Sequence, residues 1–542
     1  MNRRVDLLFI IILILAGLKL TYNLEGIVDL DLWDETDYLA SGVNLLVKGF
    51  PSPYYGPLYS LYYYFLSKFS GDNIFLYYLN LKLQIIIIPV LYYVFLRALN
   101  IPNTLSLLAS FFFLISYGNI IVSPRPTHFA IMVMLIFLTA TTFISNLRLS
   151  ILLMATTALL LSYIRPEYFL SFILLSIFYL ILIIIDIKKT IFNKTEFVGL
   201  ITFISVSAAL IMKLGNPFND KGQRTLVAFS QHFSYNWVKW HQSNIDPWAD
   251  SLIIMQKNFG SFKSIPASFL ANPPAFLKHV LANLLTYLSS LSTVLFSHIN
   301  FLLPPADKWL SSMEALLTAF TLLVLLVIYR RRYSFDWQGT FNHKAIIFFF
   351  IALYIPSLLS ALIIYPRFHY VVPQYIFFVT TLLFLISSNL SALNISRFKQ
   401  ALVIGLLLLA ITPYLAGHWY FQDKNEPQSR INNLSTVRFI KSLNLEDKVN
   451  ILEADGGYDV FLPNNFQLFF AFSKKTLFND FMHKNDINVI VLSAKMSRDA
   501  RFQMDPGWQT FMTDYAGRGF AKLTVPGTSR ILFIKKSLLP GG

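Results

Sequence analysis

Long apolar runs recur along this chain, and each is long enough to cross a lipid bilayer as a helix. Eleven such runs lie near residues 7–22, 74–97, 104–122, 127–145, 149–165, 167–186, 196–214, 311–329, 345–364, 370–389 and 400–417. Hydrophobic residues make up 55% of the 542 residues, and charged residues only 13%. A soluble chain of this length needs a more polar surface, so the sequence predicts a polytopic α-helical membrane protein.

Basic residues are concentrated in alternate connections between the runs. Lys and Arg remain on the cytoplasmic side of a membrane, so this pattern predicts about 11 crossings of the cytoplasmic membrane, with the N-terminus inside and the C-terminus outside. The net charge of +15 is explained by these clusters, and we expect no nucleic-acid partner. The residues on the predicted inner side are Arg97, Arg148, Lys188, Lys189, Lys194, Arg330, Arg331, Arg332, Lys344, Arg397 and Lys399.

Three long segments remain outside in this topology. The first loop covers 23–73, and the second segment, 215–310, includes an apolar stretch near 277–303 that we interpret as interfacial or re-entrant helices flanked by prolines. The transmembrane domain thus covers 1–417, and 418–542 has the composition of a small extracytoplasmic α/β domain. Predicted strands lie at 449–454 and 487–494, followed by a hairpin, and DGGYD at 455–459 is more typical of a turn than of a phosphate loop.

The first loop is rich in acidic residues directly after the first apolar run. Asp34 is predicted at the N-terminus of an amphipathic helix, where the helix dipole favours an ionised carboxylate, and Asp37 and Tyr38 follow on the same face. Each acid alone is typical of a helix cap or a solvated face. Together they suit a general base or a divalent metal site, although no metal-ligand spacing is present. The acids are Asp29, Asp31, Asp34, Glu35 and Asp37.

The segment DETDYLASGVNLLVKG, followed by GPLYSLYYYFL, resembles the first extracytoplasmic loop of the GT-C superfamily of integral-membrane glycosyltransferases. It is most similar to the branch of protein O-mannosyltransferases and the aminoarabinose transferase of lipid A. The resemblance implies the GT-C fold, a polyprenyl-phosphate sugar donor, and an acceptor on a glycan, a lipid or a protein. It also implies that Asp34, paired with Glu35, is the catalytic base or orients the acceptor.

Three outer hairpins each place an arginine beside a proline: Arg125 in SPRPTHF, Arg165 in YIRPEYF and Arg367 in YPRFHY. A single arginine of this kind usually anchors lipid headgroups, whereas three together also suit a phosphate cradle. YPRFHYVVP resembles a stretch that occurs late in many GT-C enzymes, which makes Arg367 the first candidate for the donor phosphate. His369 belongs to the same segment.

The second outer segment is dense in basic and aromatic residues. Arg224 and His232 are candidates to contact a sugar phosphate, and Trp237 is a candidate to stack on a pyranose ring. An interfacial aromatic belt explains the tryptophans equally well.

These features predict a glycosyltransferase that moves a sugar from a polyprenyl-phosphate donor to an acceptor hydroxyl at the outer membrane face, with inversion. Asp34 acts as base, Arg367, Arg125, Arg224 and Arg165 contact the phosphate, and Tyr38, His232, His369 and Trp237 contact substrate. The alternative is a transporter or lipid flippase, which usually shows internal repeats and charges at the bilayer midplane. A non-catalytic scaffold leaves the acidic loop unexplained.

Overall fold

The computed structural model describes residues 3–186, 194–217, 224–248, 250–261, 263–302, 341–387, 394–415 and 431–539. A bundle of helices comes first and a small five-stranded sheet follows. The predicted run at 311–329, the triplet Arg330–Arg332, and the basic residues Lys188 and Lys189 lie outside the described residues.

The bundle is built from the apolar runs, because a helix satisfies all of its own backbone hydrogen bonds in an apolar surrounding. Its helices are α1 (Arg3–Leu20), α2 (Asp34–Val43), α3 (Leu45–Lys48), α4 (Pro57–Leu66), α5 (Asn73–Ala98), α6 (Asn103–Leu114), α7 (Pro126–Thr141), α8 (Leu147–Ser162), α9 (Tyr168–Asp186), α10 (Lys194–Leu214), α11 (Arg224–His241), α12 (Ser251–Phe259), α13 (Ile265–Ala271), α14 (Pro273–Leu302), α15 (Phe341–Ile363), α16 (Phe368–Ser387) and α17 (Phe398–Ile411).

Within the described part of the chain, six helices are long and apolar enough to cross a membrane: α1, α5, α9, α10, α14 and α15. This is the architecture of a polytopic helical protein. Five others, α6, α7, α8, α16 and α17, are apolar over shorter described stretches. Ten of the predicted apolar runs therefore coincide with helices, and the total of eleven crossings stays a prediction.

The structure differs from the prediction for the stretch 277–303. It forms a single continuous helix, α14, of 30 residues rather than separate interfacial or re-entrant helices. Its first residues are Pro273 and Pro274. Proline fits the first turn of a helix, where its missing N–H would have no partner in any case. The two prolines therefore flank the stretch by marking the boundary between α13 and α14.

Helix α14 packs antiparallel to α15. Near its start, His279 Nε2 lies 3.0 Å from the carbonyl oxygen of Ile363 at the end of α15. Two turns later, the hydroxyls of Tyr287 and Tyr354 lie 3.1 Å apart. The α14 N-terminus therefore lies at the same end of the bundle as the α15 C-terminus.

The connections between helices alternate between two ends of the bundle. At one end, which we call the first-loop end, Arg125 forms an ion pair with Asp31 of the first loop at 3.1 Å. At the opposite end, Arg97 at the end of α5 forms a buried ion pair with Asp6 near the start of α1 at 2.8 Å. The sequence-predicted outer hairpins of Arg125, Arg165 and Arg367 lie between helices that meet at the first-loop end.

The C-terminal sheet has strands β1 (Val449–Glu453), β2 (Phe466–Phe470), β3 (Val489–Leu492), β4 (Phe520–Thr524) and β5 (Ile531–Lys535). Their order is β2-β1-β3-β5-β4; β1 pairs in parallel with β2 and β3, and β5 pairs antiparallel with β3 and β4. The predicted strands and hairpin are thus present, with β2 as an addition. Helix α18 (Asn432–Ser442) covers one face, and the short helices α19 (Phe478–Lys484), α20 (Ala494–Ser497), α21 (Ala500–Gln503) and α22 (Pro506–Thr513) follow in the same domain.

Alternate residues of the strands point to the two faces of this sheet, as the strand repeat requires. Ile451 and Val489 belong to the buried apolar cluster that continues into the helical bundle. Leu452 and Ile490, their neighbours, belong to a second cluster with the short helices. One face of the sheet therefore contributes to the same core as the bundle, which fixes the domain beside the first loop.

Candidate active site

Asp34 is the first residue of α2, and its side chain is exposed at the first-loop end. The carboxylate makes no hydrogen bond to any described residue. Asp37, one turn further along, is exposed on the same side of the helix. Partial desolvation raises the pKa of Asp37 above its usual value, and the negative charges of Asp34 and Asp459 raise it further. The two carboxylates therefore form a concentrated negative surface beside the basic hairpins.

Glu35 faces the opposite way and is buried, with 3% of its surface exposed. Tyr59 donates a hydrogen bond to its Oε1 at 2.8 Å, and Tyr63 donates to the same oxygen. Burial raises the pKa of Glu35 to about 8, although these hydrogen bonds lower it. The structure thus separates the predicted pair, because Asp34 is accessible and Glu35 belongs to a buried polar network.

That network continues into α5 and was not identified from the sequence. Asn80 Nδ2 donates to the Tyr59 hydroxyl at 2.8 Å, and Gln84 Nε2 donates to Asn80 Oδ1 at 2.9 Å. The backbone N–H of Arg125 donates to Gln84 Oε1 at 2.9 Å. The sequence signal for this network is the pair Asn80 and Gln84, two polar residues four positions apart in an apolar run. Polar side chains at such positions are costly in a membrane and usually have a function. The network connects Glu35 to the first of the arginine hairpins.

Arg224 is the basic residue beside Asp34. Its Nη1 donates to the carbonyl oxygen of Tyr54 at 2.6 Å, its guanidinium lies 4.7 Å from the Tyr55 ring centre, and its side chain hydrogen-bonds to Tyr38. Asp34 and Asp37 both interact with it electrostatically. Two predicted substrate-contacting residues, Arg224 and Tyr38, therefore lie together with the predicted base.

The arginines of the three hairpins converge around His369. This side chain interacts electrostatically with Arg125, Arg165 and Arg367, and Arg224 interacts in turn with Arg165. Arg165 Nη2 pairs with Glu167 at 2.7 Å, and its guanidinium lies 4.3 Å from the centre of the Tyr370 ring. Residues that are far apart in the sequence thus form one basic region, which we call the arginine cluster: Arg125, Arg165, Arg224 and Arg367.

Two members of the cluster already neutralise a carboxylate. Arg125 pairs with Asp31, and Arg165 pairs with Glu167. Arg367 instead donates to His232 Nε2 at 3.3 Å, and no described carboxylate forms an ion pair with it. Burial, with the adjacent charge of Arg367, lowers the pKa of His232 to about 3, so the imidazole is neutral. Arg367 is therefore the member best suited to bind an anion.

Aromatic rings surround His232. The ring of Tyr365 stacks on the imidazole with ring centres 4.9 Å apart. The ring of Trp248 is perpendicular to the imidazole, with ring centres 5.3 Å apart. The exposed fraction of Trp248 is 44%, which leaves part of its ring accessible beside Arg367. The structure differs from the prediction for Trp237, which is buried and stacks on His241 at 4.2 Å. Trp237 lies on the face of α11 that packs against α12 and α14, so it does not present its ring to a sugar.

A metal site was one of the sequence-based expectations. In the ranges described above, no three His, Asp or Glu side chains come together in a way that holds a metal ion. The carboxylates of the first loop point to different neighbours, since Asp31 pairs with Arg125 and Asp29 with the C-terminal domain.

The C-terminal domain is attached directly to the first loop. The two oxygens of Asp29 accept hydrogen bonds from the backbone N–H groups of Asn433 and Leu434, each at 2.9 Å, at the start of α18. Asn433 Nδ2 donates to the carbonyl oxygen of Leu30 at 2.7 Å, and Asn73 Nδ2 donates to that of Val460 at 2.6 Å. Asp29 is thus a helix cap supplied from a distant part of the chain.

No known protein-family model matches this chain, and no curated protein matches it.

Proposed function

We propose that this protein is a GT-C glycosyltransferase of the cytoplasmic membrane, with eleven crossings, the N-terminus inside and the C-terminus outside. In this topology α14 takes the outside-to-inside crossing between α10 and α15. The eleven crossings are then α1, α5, α6, α7, α8, α9, α10, α14, α15, α16 and α17. Arg97, Arg148 and Arg397 lie on the cytoplasmic side, in agreement with the positive-inside rule. The first-loop end then faces the periplasm or exterior.

The observation that carries the proposal is the accessible carboxylate of Asp34 at the edge of the arginine cluster. A transferase that uses a lipid-phosphate sugar needs a base near the acceptor hydroxyl and positive charge near the leaving phosphate. Asp34 suits the first role and Arg367 the second. A transporter or flippase does not require an accessible acid beside an anion site at one face.

In the reaction, the acceptor hydroxyl oxygen attacks the anomeric carbon of the donor sugar and forms the glycosidic bond. The bond between that carbon and the phosphate oxygen breaks, and the hydroxyl proton passes to Asp34. The lipid phosphate leaves as an anion whose charge Arg367 balances, together with Arg224. The leaving polyprenyl phosphate, a phosphate monoester, is already a stable anion, so the step needs no general acid. Displacement from the opposite face inverts the anomeric centre.

The donor is a polyprenyl-phosphate sugar, and the acceptor is a hydroxyl group on a glycan, a lipid or a protein. Apolar helices beside the arginine cluster supply the surface for the isoprenoid tail, together with membrane lipids.

The test is sugar transfer from labelled polyprenyl-phosphate donors by purified wild-type protein and by Asp34→Asn. Loss of a general base lowers transfer by about 10²–10⁴-fold. Asp447→Asn is the matched control, because Asp447 is exposed and precedes β1, whereas the DGGYD turn lies at the other end of that strand. Undiminished transfer by Asp34→Asn overturns its role as base. Absence of transfer by the wild type with every donor favours a transporter or flippase.

A further inference from the structure

The sequence DGGYD forms a rigid turn after β1. The buried carboxylate of Glu453 accepts hydrogen bonds from the backbone N–H groups of Asp455 and Gly456. Arg530 Nη1 lies 3.1 Å from Asp455 Oδ2. Gly456 and Gly457 have φ of 88° and 98°, which only glycine adopts without strain. The turn is therefore held in place by Glu453 and Arg530 of its own domain.

Gly456 of this turn contacts the residue before Asp34. Its carbonyl oxygen accepts a hydrogen bond from the backbone N–H of Trp33 at 3.2 Å, and the Trp33 ring stacks on Phe470 with centres 5.9 Å apart. Lys495 Nζ lies 4.5 Å from the same ring. Trp33 has φ of 84°, a conformation that is strained for a non-glycine residue and persists only where neighbours impose it.

Gly457 contacts the residue two positions after Asp34. A Cβ atom added to Gly457 would touch Thr36 Oγ1 and would lie 2.9 Å from Thr36 Cβ. Thr36 Oγ1 in turn donates to the carbonyl oxygen of Trp33 at 2.6 Å, which closes the first turn of α2. The glycine pair thus contacts Trp33 and Thr36, which lie on either side of Asp34 along the chain.

We propose that the Gly456–Gly457 turn is a positioning element for Asp34, so that the C-terminal domain completes the active site. This inference rests on the proposed function, because it assigns the turn to placing the base of that reaction. The domain is held to the bundle independently by Asp29, Asn433 and Asn73. The contacts with Trp33 and Thr36 are additional to this attachment, and their effect is to fix where α2 begins.

The test compares Gly457→Ala with Gly527→Ala. Gly527 also has a positive φ, 71°, but an added Cβ meets nothing within 4 Å, so this control carries similar backbone strain without touching α2. We expect kcat of Gly457→Ala to fall about 10²-fold while the donor KM stays within about twofold, because misplacement of a base affects the chemical step. Adding Thr36→Ala removes Oγ1 and Cγ2, two of the three atoms nearest to the new Cβ, and should restore part of the lost kcat.

A second readout does not depend on sugar transfer. The chain has no cysteine, so spin labels at Val47→Cys and Lys475→Cys, both exposed, report the distance between the first loop and the C-terminal domain. We expect Gly457→Ala, but not Gly527→Ala, to shift or broaden this distance. A shift without loss of kcat overturns the positioning role, and so does equal loss of kcat in both variants.

If the wild type transfers no sugar, the proposed function fails and the distance measurement alone decides the inference. A change confined to Gly457→Ala then supports the turn as the element that places α2. An unchanged distance overturns it.

Discussion

Arg367 donates a hydrogen bond to Nε2 of His232 at 3.3 Å, so a charged guanidinium is held by a neutral imidazole rather than by a carboxylate. A carboxylate partner would cancel the positive charge, whereas the imidazole orients the guanidinium and leaves its charge available. The other hairpin arginines, Arg125 and Arg165, have carboxylate partners. Among the three hairpin arginines, this difference makes Arg367 the best candidate to bind an anion.

Replacement of Arg367 by Lys should weaken donor binding, because lysine keeps the charge but loses the planar fork that matches a phosphate. We expect the donor kcat/KM to fall about tenfold for Arg367→Lys and about 10²-fold for Arg367→Ala, mostly through KM. Steady-state kinetics with varied donor measures this. Arg518→Ala, at an exposed residue of the C-terminal domain, is the control. An unchanged KM in Arg367→Ala would remove Arg367 from the donor site.

His232 should not titrate in the physiological range, because burial lowers its pKa to about 3. The imidazole is then neutral at every pH between about 5 and 8, and its interaction with Arg367 stays constant. We expect His232→Gln, which keeps a hydrogen-bond acceptor, to leave the pH profile of donor KM unchanged. Measuring KM across this range in both proteins tests the expectation. A titration in the wild type that disappears in His232→Gln would contradict it.

Glu35 should make the folded protein less stable at higher pH. Burial raises its pKa from 4.5 to about 8, so between these values the folded chain binds more protons than the unfolded chain. Stability therefore decreases as the pH rises through this window. Glu35→Gln removes the titrating group and should flatten this dependence in thermal unfolding at about pH 5 and about pH 8. Glu446→Gln, at an exposed residue, should retain the wild-type slope. Equal slopes in all three proteins would refute the prediction.

Asp29 should stabilise the start of α18. It accepts hydrogen bonds from Asn433 and Leu434, and loss of a helix cap costs about 1 kcal/mol, or about a fivefold change in an opening equilibrium. Amide hydrogen exchange in the first turn of α18 should therefore be about fivefold faster in Asp29→Ala. Asp447→Ala should exchange as the wild type does. Identical exchange in Asp29→Ala would mean that the cap contributes nothing.

The parts of the structure that depend on local pattern were predictable from the sequence. Apolar runs indicated the helices because length and hydrophobicity are properties of a single segment, and the hairpin after residue 519 was evident from alternation of side chains. The prediction of separate helices over 277–303 was wrong, because the sequence of the stretch does not distinguish one long helix from several short ones. Helix α14 packs against both α15 and α16, and the sequence of the segment alone does not show this packing.

The candidate site was predictable as a set of residue types but not as an arrangement. Asp34 and Arg367 were identified mainly by resemblance to GT-C segments, and Arg224 by the density of basic residues in the second outer segment. The structure brings the three to one end of the bundle. The opposite orientations of Asp34 and Glu35 depend on which face of α2 meets α4. The contact of Trp33 with Gly456 joins positions more than 400 residues apart, and nothing in either segment alone indicates it.

That separation has a consequence for how the protein is made. Trp33 and Thr36 emerge from the ribosome early, whereas Gly456 and Gly457 emerge after the last helix of the bundle has been inserted. Until that point in synthesis, the acidic first loop lies at the membrane surface without the Gly456–Gly457 turn. Contacts between such distant residues form late because the intervening chain must be ordered first. Chains that stop before the sheet should therefore insert into the membrane and bind lipid donor without performing the transfer.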